Sequence, residues 1–403
     1  MSDDLFSKAF IGLLCGRVVS TFNGSVLALA VAWHLYQNTG NAFDLALVSL
    51  TQIIPILALF LVTGWVADNY SRRNVIMLST ALQGIAIIMI AYLMNTEVFN
   101  KWWLFFALLF FSVGRAFISP AIQSIIPNIV SSQNLSRAIS IYSVSWNVSL
   151  AAAPFFGGLL LLWLDLQVYW LLVISLMVSL IAYKYLPDIK LVSNKDFSMS
   201  ELFGGVVYLR QNMNVLGSLA LDLFIVLFGS VLVLLPVIVT DILQKGPETL
   251  GVLRAMPAIG ASIVGFYLTA RRKSLSKPGK SLFIALFIFS FSIVLVGVSQ
   301  NIYVLAMALL IYGGSDMISV VVRGAVVQIL TPDELRGRVN SLNAIFIASS
   351  NELGDFRAAT LATFIGPVNS ILIGGAMAFA VTAGGLVLFK ELYRMDRLVK
   401  REE

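Results

Sequence analysis

The sequence predicts an all-α integral membrane protein, with twelve transmembrane helices in two six-helix halves. Of 403 residues, 59% are hydrophobic and only 12% are charged. A soluble chain of this length cannot hide so much apolar surface. Apolar runs of about 20 residues, the length that crosses a hydrocarbon core as a helix, recur along the whole chain. No strand-like alternation dominates, which argues against a β-barrel.

Taken in order, the spans are expected at residues 10–36, 44–67, 75–95, 102–125, 138–162, 167–186, 214–241, 248–270, 281–299, 303–328, 339–364 and 367–390. Ahead of the first, Asp3, Asp4 and a single Lys replace the basic stretch of a cleavable signal peptide, and no small-residue cleavage site follows. Between the second and third spans, Gly64-Trp-Val-Ala-Asp68-Asn-Tyr-Ser-Arg72-Arg73 concentrates charge in a chain poor in it. Gly64 would let a neighbouring helix approach closely. Asp68 falls just past the helix end, where it could cap or pair, and Arg72 and Arg73 would hold the turn on the positive side of a membrane. The plainer reading is a charged turn with a stop signal.

The halves carry related features. Ser119-Pro-Ala-Ile-Gln-Ser-Ile-Ile-Pro127 ends the fourth span and Gly324-Ala-Val-Val-Gln-Ile-Leu-Thr-Pro332 ends the tenth, and Arg137-Ala-Ile-Ser140 is matched by Arg338-Val-Asn-Ser341. Two such halves suit the parallel repeat of a rocking transporter. The domains are expected at 1–186 and 212–403, joined by a linker at 187–211. In the linker, Ser198-Met-Ser-Glu201 has capping-box spacing, and Leu202, Phe203, Val206 and Leu209 follow helical periodicity. This segment reads either as an amphipathic helix on the inner leaflet or as a lead-in to the seventh span.

Charge sets the orientation. With both termini on one side, that side holds 20 of the 27 Lys and Arg; the other holds Lys101 and Lys245, and five lie within spans. This is a positive-inside pattern with both termini cytoplasmic. It assigns the net charge of +6 to a membrane face rather than to a nucleic acid. The partners expected are the lipid bilayer and a small-molecule substrate, with the chain a monomer.

Ionisable groups within spans are costly and therefore candidates for function. The basic set is Arg17, Arg115, Arg254, Arg323 and Arg357; the acidic set is Asp222, Asp316, Glu352 and Asp355. Glu352 and Asp355, three apart, share a helix face. They could bind and release a proton, since nearby carboxylates raise one another's proton affinity, or form a salt-bridged contact with Arg357 or another Arg. Asp222 and Arg17 lie at similar depths in the seventh and first spans, so they could approach one another, at the cavity or as a gate pair. Asp316 and Arg323, seven apart, read as a structural pair. His34, at the outer end of the first span, reads as an interfacial hydrogen-bonder. Trp33 and Trp146 could line a cavity for a flat aromatic substrate. One His and one Cys leave no His/Cys metal site, and the absence of a P-loop points away from ATP.

Gly64-x-x-x-Asp68-x-x-x-Arg72-Arg73 resembles the signature loop of the major facilitator superfamily, with Asn69 and Ser71 where the signature has a basic residue and a Gly. The second-half counterpart, Gly265-Phe-Tyr-Leu-Thr269-Ala-Arg271-Arg272, lacks the Asp. Arg115 resembles the family's membrane-embedded Arg, which is linked to proton coupling. Ser149-x-x-x-Ala153-Pro154-x-x-Gly157-Gly158 resembles its antiporter motif, which marks exporters, with Ser and Ala where two Gly are usual. Thr331-Pro-Asp-Glu-Leu-Arg-Gly-Arg-Val-Asn-Ser341 and Ser349-Ser-Asn-Glu-Leu-Gly-Asp-Phe-Arg357 are similar to the branch that holds siderophore and macrolide exporters.

The resemblance implies a proton-coupled exporter of a bulky small molecule such as a siderophore. The proton gradient would be its energy source, with no cofactor or metal, in the inner (plasma) membrane. Arg17, Arg115, Asp222, Glu352 and Asp355 would serve coupling or substrate, and Gly64, Asp68, Arg72 and Arg73 would form a latch favouring the outward-facing state. The alternatives are a multidrug or macrolide exporter on the same scaffold, an uncoupled facilitator or importer, and a membrane sensor or enzyme. The last would need a soluble domain or catalytic constellation, and neither is visible.

Overall fold

The computed structural model describes residues 5–96, 99–188, 206–270 and 277–396, where helices alternate with short turns and no strand occurs among the described residues. The helices are α1 Lys8–Thr39, α2 Ala42–Asn69, α3 Arg72–Met94, α4 Lys101–Ile129, α5 Leu135–Leu164 and α6 Val168–Tyr183. After them come α7 Met213–Gly229, α8 Pro247–Ala270, α9 Pro278–Val298, α10 Ile302–Leu330, α11 Asp333–Ile365 and α12 Pro367–Leu388. The expected linker helix falls mostly at 189–205, outside the described residues; residues 206–211 are helical.

Local chemistry explains many of the ends. Ser7 Oγ accepts from Phe10 N (3.3 Å), and α1 stops at Gly40, whose φ of +58° suits a residue without a Cβ. Asn100 and Asn301 cap α4 and α10 alike, accepting from Trp102 N (3.0 Å) and Tyr303 N (2.8 Å). These two helices are both 29 residues long.

Twelve spans were expected, and among the described residues ten segments are long and apolar enough to cross a membrane by length and composition. The two numbers differ for identifiable reasons. Leu135–Tyr183 is continuously helical through the 3₁₀ turn Asp165–Gln167, so α5 and α6 merge into one segment. Helix α11 carries too many polar and charged residues to qualify.

The seventh span departs from its expected continuous course over 214–241. Helix α7 ends at Gly229, Ser230 is extended (φ −63°, ψ 124°), and the chain resumes as a 3₁₀ turn (Leu232–Leu234), a short α-turn (Leu235–Val237) and a π segment (Ile238–Ile242).

The chain forms two compact units. Unit 1 comprises Met1–Gly40, Leu50–Phe197 and Gly246–Gly251; unit 2 comprises Asn41–Ser49, Ser198–Lys245 and Val252–Glu403. In unit 1, α1 packs on α5 and α6, and α3 packs on α4 and α6. In unit 2, α7 packs on α11 and α12, and α9 packs on α10 and α12. Each of these pairs in unit 1 has its counterpart six helices later, so the repeat hinted at in sequence is a repeat of packing.

Small residues permit the closest approaches. Gly12 and Gly16, spaced as Gly-x-x-x-Gly, lie against α6. A Cβ on Gly12 would stand 2.6 Å from the Ala182 carbonyl oxygen, and one on Gly16 would strike the Tyr183 ring. The core around them includes Phe10, Leu13, Ile76, Ile122, Ile125 and Tyr183. Large apolar side chains remain on the outside, among them Trp102, Trp103, Phe266 and Tyr303, as expected where the solvent is lipid.

Candidate functional site

Unit 2 gathers its ionisable side chains around α7 and the break that ends it. Asp222 on α7 accepts from Arg323 Nη1 on α10, with each side chain 7% exposed. Asp316, two turns before Arg323, lies in the field of both members of this pair. Asp222, expected opposite Arg17, thus has its ion pair inside unit 2, and Arg323 serves Asp222 rather than pairing with Asp316 alone. The physical reason is the packing of α7 beside α10 within one unit, which no spacing along a single helix reveals.

At the break, Arg357 on α11 takes the place of the missing backbone donors. Its Nε donates to the Leu227 carbonyl (3.1 Å) and its Nη2 to the Phe228 carbonyl (2.8 Å). These are carbonyls at a helix C-terminus, where a cation is favoured. The guanidinium also sits 6.0 Å from the Phe228 ring centroid. Ser230, the extended residue, donates its hydroxyl to Asp355 Oδ1.

Half-buried Arg254 on α8 lies in the field of Asp355 and Glu352. Tyr312, whose ring lies tilted 4.3 Å from that of Phe289, lies in the field of Asp316, Asp355 and Asp222. Helices α7, α8, α10 and α11 therefore bring Asp222, Asp316, Glu352 and Asp355 together with Arg254, Arg323 and Arg357. The expected Glu352–Asp355 face exists on α11, and its nearest cation field includes an Arg from another helix.

Unit 1 places its charges differently. Arg17 on α1 lies over Trp146 on α5 (6.0 Å to the ring centroid), in the field that also reaches the Tyr142 hydroxyl; among the described residues its Nε has no hydrogen-bond partner. Trp146 thus meets a cation, whereas Trp33 is buried. Arg115 on α4 donates to Gln52 Oε1 on α2 (2.7 Å). Buried His34 bridges Tyr169 Oη and Asp165 Oδ1, each 2.9 Å away. Asp165 holds a positive φ of 47° at the turn into α6.

At the start of α3, buried Arg72 donates to the Ser124 carbonyl (2.6 Å) and to the Asn128 side chain. Asp188 accepts from Ser71 and lies 3.7 Å from Arg73 Nη2. The side chain of Asp68 lies outside the described residues. No atom among the described residues stands within 4 Å of a Cβ built on Gly64.

A close approach occurs at the antiporter-like segment. A Cβ on Gly158 would stand 2.7 Å from the Pro247 carbonyl oxygen and 2.8 Å from Gly251 Cα; one on Gly251 would stand 2.6 Å from the Pro154 carbonyl oxygen. Ala153 is fully buried, and Gly157 faces Leu29 and Val26 side chains of α1.

Sequence reasoning missed Ser230, Tyr312 and Gly251. Ser230 had a faint signal: Gly229 before it and Pro236 after it can mark an interrupted helix.

The family described as Transmembrane secretion effector matches residues 4–400. Macrolide efflux protein A of Streptococcus pyogenes is 23% identical over 387 residues, covering 92% of this chain and 94% of that protein. Enterobactin exporter EntS of Escherichia coli is 24% identical over 400 residues, covering 96% and 93%. Among solved structures, a bacterial homolog of the human lysosomal transporter Spinster superposes with a TM-score of 0.71 at 16% identity, covering 98% of this chain and 99% of that one. The nucleoside transporter NupG gives 0.72 at 12% identity, covering 95% and 99%.

Proposed function

The chain belongs to the transmembrane secretion effector family of the major facilitator superfamily and is a multi-pass membrane transporter; from that premise we propose that it is a proton-coupled exporter of a bulky amphipathic small molecule. The observation that carries the coupling is the carboxylate excess in unit 2. Four in-span acids, Asp222, Asp316, Glu352 and Asp355, face three guanidiniums, Arg254, Arg323 and Arg357. Two like charges in a poorly solvated space do not both remain ionised at low cost, so one carboxyl is a natural proton carrier.

Asp355 is the best placed. It touches the break in the seventh span through Ser230 and lies in the fields of Arg254 and Arg357. Protonation there would alter the contacts that hold the break, which couples proton uptake to helix geometry. An interrupted span is also where carriers of this kind bind cargo.

The substrate class is supported by the relatives, one named for macrolide efflux and one for enterobactin export. Both readings are of bulky molecules, and the two relatives match at 23% and 24% identity over nearly all of this chain. No catalytic step belongs to this reading, and the energy source is the proton gradient.

Purified protein in proteoliposomes tests it. An imposed pH gradient should drive counter-transport of enterobactin or of erythromycin. Asp355→Asn keeps an acceptor for Ser230 but cannot take up a proton, so it should lose gradient-driven flux while retaining downhill exchange. Full gradient-driven flux in that variant would remove Asp355 from the coupling path. Growth of a host lacking its own exporters, with each compound in turn, separates the two substrates.

A further inference from the structure

A shallow apolar groove of about 550 Å³ runs along the outside of unit 1 between α3 and α6. On α3 it is lined by Asn74, Met77, Leu78 and Ala81, an i, i+3, i+4, i+7 stripe. On α6 it is lined by Met177, Leu180, Ile181 and Lys184, which repeats that spacing. Each stripe follows one helix face for about 10 Å. The two helices pack antiparallel, so the polar member of each stripe lies at the same end of the groove.

That end is a helix boundary on both sides. Asn74 is the third residue of α3, and Lys184 directly follows the last residue of α6. The groove is therefore polar where two spans terminate and apolar along their length, which is the chemical profile of a phospholipid. Ala81, flanked by larger side chains, leaves room for an acyl chain at the apolar end.

Charge selects the headgroup. Lys184 is exposed and makes no ion pair among the described residues. The acid on the same side, Asp188, is already engaged by Ser71 and Arg73. Among the described residues, the ammonium of Lys184 and the side-chain amide of Asn74 at the groove's end are thus donors with no hydrogen bond or ion pair to the protein. We infer that this groove is a binding site for an anionic phospholipid, with its phosphate at Lys184 and Asn74 and an acyl chain along Met77, Leu78, Ala81, Met177 and Ile181. Basic pockets between spanning helices hold anionic headgroups through the same physics. The site lies wholly within unit 1 and does not rest on the proposed transport reaction.

The test is native mass spectrometry of full-length protein released from nanodiscs of equimolar phosphatidylglycerol and phosphatidylcholine. Wild type should retain one phosphatidylglycerol in preference to phosphatidylcholine. Lys184→Ala should lower that preference roughly five-fold, the size expected for one basic side chain at an anionic surface, and Lys184→Arg should keep it. Ala81→Phe, which fills the apolar end, should lower retention of both lipids. Equal retention of the two lipids by wild type, or an unchanged preference in Lys184→Ala, would overturn the assignment. So would a wild-type dimer that Ala81→Phe converts to monomer, because the groove would then be covered by a second copy. Circular dichroism of each variant establishes that the fold is retained, and Lys184→Arg reports on the site even if Ala81→Phe does not fold.

Discussion

The ion pair of Asp222 with Arg323 shows how much one contact can decide. Both side chains are 7% exposed, so removing either partner strands a charge in a poorly solvated place, at a cost of about 3–5 kcal/mol. Asp222→Asn and Arg323→Gln should each lower the melting temperature of the purified protein, and the double variant should recover most of the loss. Thermal unfolding of all three gives the coupling energy; additive losses would mean that the two groups stabilise the fold independently. That both residues matter was legible in the sequence, because a charge within a span is expensive wherever it occurs. Their partnership was not legible. The pair is 101 positions apart, no helical period relates the two, and equal depth alone favoured Arg17. The same limit applies to Arg357, whose partners are two carbonyls and so carry no side-chain signature at all.

Among the helices, small residues set the tolerances. Gly158 and Gly251 lie backbone to backbone, whereas a Cβ on Gly157 would meet only the ends of Leu29 and Val26 side chains, at 3.1 and 3.3 Å. Backbone cannot yield as a side chain can. Gly158→Val should therefore cost about 1–3 kcal/mol of overpacking, and Gly157→Ala clearly less. Comparing the melting temperatures of the two variants checks this, and equal losses would argue against a rigid contact at Gly158. The segment holding Gly158 was recognisable as a motif. Gly12-x-x-x-Gly16, equally plain in the sequence, brings α1 against Ala182 and Tyr183 of α6. At Gly64 the motif predicts a close approach, and no atom among the described residues stands within 4 Å of a Cβ built there. A glycine in a spanning helix states what is permitted there, and the neighbour that uses the permission lies in another part of the chain.

For the molecule as a whole, composition and apolar periodicity were enough to give the class, and the repeated packing of α1, α3, α4, α5 and α6 by their counterparts six helices on explains why. Each half solves the same burial problem with the same helix order, so the pattern is written twice. What could not be read was the interruption of the seventh span. Gly229 and Pro236 flank it, but both residue types are common in spanning helices, and Ser230-Val231 looks like any small apolar step. The charge distribution makes a claim at this scale too. Lys101 and Lys245 are expected outside, and Arg137 and Arg336 inside. With Cys15 replaced by Ala, a membrane-impermeant maleimide added to intact cells should label Lys101→Cys and Lys245→Cys and leave Arg137→Cys and Arg336→Cys unlabelled. Labelling of all four would refute the orientation.

The break after α7 also has a mechanical meaning. A continuous helix resists bending because every turn is tied to the next by its own backbone. Across Ser230 and Val231 that tie is missing, and the load passes sideways through the Arg357 guanidinium and the Asp355 carboxylate. The seventh span is thus one stiff rod, α7, joined by a spring to a short irregular segment, and the spring constant is held by a different helix. Whatever competes for Arg357 or Asp355, whether a proton or a piece of cargo, softens the joint without touching the rod.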